Sequence, residues 1–225
     1  MAKRTKVLTP EEAARAIYVS LEGAQTGAPV LLGALWASRP DRAPLFRQFV
    51  VDPTFASAGT PVEDPPRALS RLFDRATQQD RMVVVWSSDA AGAFAGRLRF
   101  GATTAKRWRE ICRPEVAFER DGNGKRNRLD RYLGLVADPV PARFAPSKVD
   151  ENLGVLRRQL EKGIAFDDLR PTTKRRWEDV LGANERECRG MHEVCVVAAE
   201  EYAAATAPPA HVDKKRRRGK GKKAA

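Results

Sequence analysis

Two residues near the start of the chain, Ser20 and Glu22, are spaced so that a strand would place them side by side. The segment 16–22 is rich in β-branched and aromatic residues and is followed by Gly23, which is typical of a buried strand that ends at a turn. Successive side chains of a strand alternate between faces, so residues 20 and 22 share one face. Two acids in this arrangement would make a cation site, but only Glu22 is an acid.

Two further acids stand at the edges of predicted elements, and each also has a structural interpretation. Asp89 follows the apolar segment 82–86 and would either contribute to a site or cap the next helix. Glu187 comes three residues after Asn184, which is the spacing of a capping box. Glu22 itself would otherwise be an exposed turn residue. The sequence leaves both interpretations of each acid open.

The order of the predicted elements favours an α/β protein. Strands are predicted at 16–22, 30–37, 45–51 and 82–86, with a candidate short fifth strand at 115–119. Helices are predicted at 66–79, 90–100, 104–112, 126–136, 148–161, 172–181 and 184–205. The first three strands read as an antiparallel meander, which a later strand joins in parallel across a helix. These elements predict a three-layer fold with a mixed sheet and a helical C-terminal half.

The positive charge is concentrated at the C-terminal end. Eight of the 41 Lys and Arg residues lie at 214–223, and without them the formal charge of +12 falls to +4. Such a run favours a disordered arm that attracts phosphate polymers, although a solubilising tail is an alternative. We therefore expect a short lead at 1–14, one folded domain at 15–206 and a basic tail at 207–225.

The remaining composition excludes several classes of protein. The sequence has no apolar run long enough to cross a membrane, so we expect no membrane partner. Its three cysteines form no C-x-x-C pair, and Cys188 and Cys195 lie too far apart on one predicted helix for a disulfide, which favours a cytoplasmic location. It has neither a Gly-rich phosphate loop nor a G-x-S-x-G motif. His192 is expected to be a packed or solvent-edge histidine rather than a general base.

Three short motifs, together with their order, resemble the DEDD-type 3′–5′ exonucleases of the ribonuclease H-like superfamily, in particular an uncharacterised bacterial group. That group usually carries D-x-E in the first strand, an acid near the end of the fourth strand, and N-x-x-D-C in a C-terminal helix. This sequence has S-L-E at 20–22, W-S-S-D at 86–89 and N-E-R-E-C at 184–188. The resemblance covers most of residues 16–205 and implies a ribonuclease H-like three-layer fold.

The resemblance implies that Glu22, Asp89 and Glu187 are catalytic residues that hold Mg²⁺ or Mn²⁺. In such sites two divalent ions about 4 Å apart activate water and stabilise the leaving oxygen of a phosphodiester. Glu187 is one methylene longer than the more common Asp. Ser20 is a degenerate position, because the family has there the Asp that bridges both metals. The expected function is a weak or degenerate metal-dependent 3′–5′ exonuclease, and the alternative is a non-catalytic nucleic-acid-binding or assembly protein that retains the fold.

Basic side chains that would contact nucleic acid, DNA or RNA, fall into two groups. The segments 105–113 and 125–132 interleave basic and aromatic residues, and each would either track a phosphate backbone or form a solvated helix face. The predicted contacts are Lys125, Arg126, Arg128, Lys214, Lys215, Arg216, Arg217, Arg218, Lys220, Lys222 and Lys223.

Deleting residues 212–225 should weaken nucleic-acid binding without changing thermal stability, because the eight cations lie outside the predicted domain. Binding should also become less sensitive to salt, by up to about 0.9 in the slope of log affinity against log salt for each lost phosphate contact on duplex DNA. Titrations of both proteins at several salt concentrations measure this slope. An unchanged slope would move the phosphate contacts onto the folded domain.

Overall fold

The computed structural model describes residues 7–23, 29–38, 42–56, 60–86, 98–118, 128–137 and 148–208. The strands are β1 Ile17–Glu22, β2 Leu31–Trp36, β3 Leu45–Val50, β4 Val83–Val85 and β5 Leu98–Phe100. The α-helices are α1 Pro10–Arg15, α2 Pro65–Gln78, α3 Gly101–Cys112, α4 Leu129–Val136, α5 Val149–Leu160 and α6 Pro171–Thr206.

The five strands form one mixed sheet in the order β3-β2-β1-β4-β5. The first three strands pair antiparallel, whereas β4 lies parallel to β1 and β5 lies parallel to β4. The predicted meander, its parallel fourth strand and the helical C-terminal half are therefore confirmed. Parallel neighbours end at the same edge of a sheet, so the chain leaves β1 and β4 on one side.

Two predicted elements near the middle of the chain are wrong where the structure describes them. Residues 98–100, predicted as the end of a helix, form β5, whose Leu98 and Phe100 pack against the apolar core while β4 supplies the backbone partners. Residues 115–118, predicted as part of a fifth strand, have no strand partner. The ring of Phe118 instead packs edge-on against Tyr132 of α4, with centroids 5.0 Å apart.

The alternation of side chains along the strands builds a core on each face of the sheet. Ile17 and Val19 of β1 point to the face covered by α2. Tyr18, between them, points to the other face, where α1, α3, α4 and α6 pack. Ser20 and Glu22 follow Tyr18 at intervals of two and therefore lie on the α6 face.

The C-terminal half is dominated by α6, which replaces the two helices predicted at 172–181 and 184–205. Gly182 and Asn184 have low helix propensity and suggested a break there. The helix continues through them because this turn is buried against the sheet, and tertiary contacts outweigh the local preference. Cys188 and Cys195 are both buried free thiols on this helix, as their spacing predicted.

The chain enters the sheet through a short helix that the sequence patterns did not predict. Thr9 and Glu12 form a capping box at the start of α1, and Leu8 before it is buried. The hydroxyl of Tyr18 donates to the carbonyl of Ala13, which ties α1 to β1. Among the described residues, none of the helices combines the length and apolar character that a membrane crossing requires.

A buried amide fixes α6 on the sheet. Asn184 is fully buried, and its Nδ2 donates to the carbonyl of Ser20 at 3.4 Å. Its Oδ1 accepts from Nε2 of Gln48 on β3 at 3.0 Å, and the same nitrogen lies 3.0 Å from the carbonyl of Leu181. Gly33 of β2, which pairs with Ser20, provides the space, because a Cβ at this position would overlap the Asn184 amide.

Replacing Gly33 with alanine should lower the free energy of unfolding by about 1–3 kcal/mol, because the added methyl group would displace the Asn184 amide from its partners. Chemical denaturation of the purified protein measures the change. Gly154→Ala is a suitable control, since a Cβ there meets only the end of the Arg158 side chain at 3.6 Å and alanine favours the helix. Equal stabilities for the two variants would contradict the proposed docking role of Asn184.

Candidate functional site

The carboxyl end of β1 meets the middle of α6 at a cluster of two carboxyl groups and a hydroxyl. Ser20 is only 4% exposed, and its Oγ donates to Oε2 of Glu187 at 2.8 Å. The same hydroxyl lies 3.5 Å from Oε1 of Glu22. One hydroxyl carries one proton, so the shorter bond to Glu187 is its principal interaction. The structure thus brings together three of the sequence-predicted positions, Ser20, Glu22 and Glu187.

Glu187 is not part of a capping box. Asn184 lies well inside α6, which begins at Pro171, and its side chain is used to dock the helix rather than to cap it. Because Asn184 and Glu187 are three residues apart on one helix, they project towards the same side. The amide that holds the helix on β1 therefore also sets the position of Glu187 beside Ser20.

The Glu22 carboxyl lies in an environment that favours its protonated form. Burial raises its pKa to about 8, and the charge of Glu187 and a hydrogen bond with the Glu187 carboxyl act in the same direction. A hydrogen bond with Asn184 opposes these effects, whereas the charge of Asp150 adds to them. At neutral pH the Glu22 carboxyl is therefore mostly protonated.

Asp150 is the acid that sequence reasoning missed. It lies in the first turn of α5, and its side chain is exposed. The sequence signal for it was weak, because acids in the first turn of a helix are common for their favourable interaction with the helix dipole. Only the packing of α5 near the end of β1, where Leu153 approaches Gly23, brings its charge close to Glu22.

Two other reactive side chains on α6 are constrained by packing. Burial raises the pKa of the Cys188 thiol well above its usual value, and the charge of Glu187 raises it further, so the thiol stays protonated. Burial lowers the pKa of His192, whose ring packs edge-on against Tyr18 with centroids 5.3 Å apart. The prediction of a packed histidine is confirmed.

The basic segments behave differently from one another. Trp108 of the segment 105–113 is fully buried, and its Nε1 donates to Glu201, so its ring offers no face to a base. Arg128 precedes α4 and forms an ion pair with Asp130 at 2.7 Å. The predicted site residues that lie outside the described part of the chain are Asp89, Lys125, Arg126, Lys214, Lys215, Arg216, Arg217, Arg218, Lys220, Lys222 and Lys223.

The donor set at the end of β1 suits a hard divalent cation, since carboxylate and hydroxyl oxygens are the ligands that Mg²⁺ and Mn²⁺ prefer. A cation would take the place of the proton that Glu22 now holds. Among the described residues, however, no group of three or more His, Cys, Asp or Glu side chains is arranged to hold a metal ion.

Comparison of the chain with protein-family models, with curated proteins and with solved structures finds no match.

Raising the pH from 5 to 8 should destabilise the protein through Glu22. Because its folded-state pKa of about 8 lies above its unfolded value, the stability it contributes is present below pH 4.5 and is lost as pH rises towards 8. Glu22→Gln, which mimics the protonated form, should be more stable than the parent at pH 8 by at least ~1 kcal/mol and similar to it at pH 4.5. Denaturation curves across this pH range measure the difference.

The exposed Glu200 of α6 provides a matched control, because Glu200→Gln makes the same chemical change outside the cluster. Its stability should follow that of the parent at every pH. A constant difference between Glu22→Gln and the parent from pH 4.5 to 8 would show that Glu22 titrates normally.

Proposed function

We propose that this protein is a ribonuclease H-like, nucleic-acid-handling protein of the cytoplasm that is a weak or degenerate metal-dependent 3′–5′ exonuclease. The observation that carries the proposal is the convergence of Ser20, Glu22 and Glu187 at the carboxyl end of β1. The strand order β3-β2-β1-β4-β5, with its antiparallel and parallel parts, supports the same fold. The acids of the family's D-x-E and N-x-x-D-C motifs would lie at the edge of the sheet where β1 ends.

In this proposal Glu22 and Glu187 hold Mg²⁺ or Mn²⁺, and Asp89 supplies a third carboxylate. The chain leaves β4 next to β1 and reaches Asp89 four residues after Val85, the last residue of β4. A bound divalent ion would supply Lewis-acid chemistry for the hydrolysis of a phosphodiester. The contribution of this chain's residues is to hold two carboxyl groups close together, with α6 fixed by Asn184.

A second candidate is a non-catalytic nucleic-acid-binding or assembly protein that retains the fold. The hydrogen bond from Ser20 to Glu187 favours it, because a neutral hydroxyl stands where the family has a bridging carboxylate. The raised pKa of Glu22 removes a further negative charge at neutral pH. Contact with nucleic acid would then depend on the basic tail at 214–223.

The variant Ser20→Asp tests the metal site. The new carboxylate would adjoin Glu22 and Glu187, so without metal we expect a loss of stability on the order of 1 kcal/mol from like-charge repulsion. Mn²⁺ or Mg²⁺ should reverse this loss and stabilise the variant more than the parent. Metal-dependent cleavage of end-labelled single strands should also appear or increase. Paired melting and cleavage assays, in Mn²⁺ and in chelator, measure both effects.

Adding Glu22→Gln to the Ser20→Asp variant should abolish the cleavage and reduce the metal effect, whereas adding Glu200→Gln should change neither. If Ser20→Asp melts identically in metal and in chelator and cuts nothing, Glu22 is not part of a metal site. Metal-dependent cleavage by the parent that Glu22→Gln removes would favour the enzyme over the non-catalytic protein.

A further inference from the structure

A second concave surface lies on the other face of the sheet from the acid cluster. It is a groove of about 1080 Å³ between α2 and the strands β2 and β3, which we name the arginine groove. Trp36 and Leu45, which pair at one end of these strands, line it. Glu22 pairs with Leu31 at the other end of β2. The groove and the acid cluster therefore occupy opposite faces of the sheet.

The walls of the groove carry more positive than negative charge. Five arginines line it, against the two acids Glu63 and Asp74. Two of the five are neutralised, since Arg71 pairs with Glu63 and Arg15 pairs with Glu11. Within the ranges that the structure describes, no carboxylate lies within ion-pair distance of the other three, which are Arg47, Arg75 and Arg81.

Arg81 is the deepest of these cations. Its side chain is 7% exposed, and its Nη1 donates to the carbonyls of Arg15 and Ala37 at 3.0 and 2.6 Å. Its buried Nε has no hydrogen-bond partner among the described residues. Burial lowers the pKa of Arg81, and the charges of Arg15 and Arg75 lower it further. Arg75 and Arg81, which have no ion-pair partner among the described residues, thus place two positive charges near each other at a partly dry surface, which an anion would stabilise.

Arg75 adds a flat surface to this charge. Its guanidinium lies over the ring of Trp36, 4.6 Å from the centroid, while the rest of the Arg75 side chain is exposed to solvent. A guanidinium that lies over an aromatic ring can stack its other face on a nucleobase and offer its N–H groups to phosphate. Arg47, exposed on the edge strand β3, widens the positive surface beside it.

We propose that the arginine groove binds a nucleoside phosphate, either free or within a single strand. The guanidinium groups of Arg47 and Arg75 would meet the phosphates, and the Arg75–Trp36 pair would support the base. Arg81, whose two terminal nitrogens donate to backbone carbonyls, would add positive charge beneath them. The volume of the groove matches the upper end of the range of about 300–1,000 Å³ that is usual for ligand pockets, which is large enough for such a ligand. This binding does not depend on the acid cluster and holds whether or not the protein cleaves nucleic acid.

The test measures binding to the full chain by calorimetry, with adenosine triphosphate, inorganic tripolyphosphate and a short single-stranded oligonucleotide as probes. The variant Arg47→Glu/Arg75→Glu should bind adenosine triphosphate at least about tenfold more weakly than the parent, because it reverses two of the three unneutralised charges. Both side chains are exposed, so the variant should fold, and its melting curve checks this. Arg175→Glu, an exposed arginine on α6, is the charge control and should bind within about twofold of the parent.

The probes separate the elements of the proposal. Tripolyphosphate should bind more weakly than adenosine triphosphate, and equal binding would overturn the role of the base. The loss of affinity is measured in the groove variant relative to Arg175→Glu. A larger loss for the oligonucleotide than for adenosine triphosphate would identify a strand as the ligand. A larger loss for adenosine triphosphate would identify a free nucleotide. Glu200→Gln, a change of an exposed acid on α6, should leave all three affinities unchanged. No binding of adenosine triphosphate by the parent, or equal affinities in the groove variant and Arg175→Glu, would overturn the proposal.

Discussion

The docking of α6 on the sheet depends on one buried amide. Asn184 contacts β1 through the carbonyl of Ser20 and β3 through Gln48, and it fits only because residue 33 of the strand between them has no side chain. A buried amide without partners would cost free energy, so α6 is most stable in the one position where Asn184 makes these hydrogen bonds. Every side chain that α6 presents to the sheet, including Glu187, is placed by this arrangement.

The same docking brings two carboxyl groups into a half-buried space, which is unfavourable for their charged forms. The molecule accommodates them by retaining a proton on Glu22 and by donating the Ser20 hydroxyl to Glu187. An aspartate at position 20 would add a third carboxyl group to the cluster and increase the repulsion between like charges. The neutral hydroxyl of the serine therefore makes the cluster compatible with a stable fold.

The two faces of the sheet have different electrostatic character, although both have an apolar core. The α6 face presents acids at the carboxyl end of β1, whereas the α2 face presents arginines beside β2 and β3. The sheet itself lies between the acid cluster and the arginine groove. In our proposals each surface has its own ligand, a cation on one side and a phosphate-bearing molecule on the other.

The sequence by itself determined the first four strands and most of the helices, because apolar periodicity is a local property. The runs 16–22, 30–37 and 45–51 matched β1, β2 and β3, and their short connections indicated the antiparallel meander. The sequence also indicated that Ser20 and Glu22 share a face, since the alternation of side chains along a strand needs no tertiary information. The motif resemblance added Glu187, which local patterns alone would equally have assigned to a cap.

Tertiary structure decided the features in which a distant partner outweighs local preference. Gly182 and Asn184 favour a break in the helix, yet α6 continues through them because Asn184 finds its hydrogen bonds on β1 and β3, more than 130 residues away in sequence. Leu98–Phe100 becomes a strand because β4 provides its partners. The raised pKa of Glu22, the approach of Asp150 and the grouping of Arg47, Arg75 and Arg81 likewise depend on distances between separate elements, which spacing along a single chain does not encode.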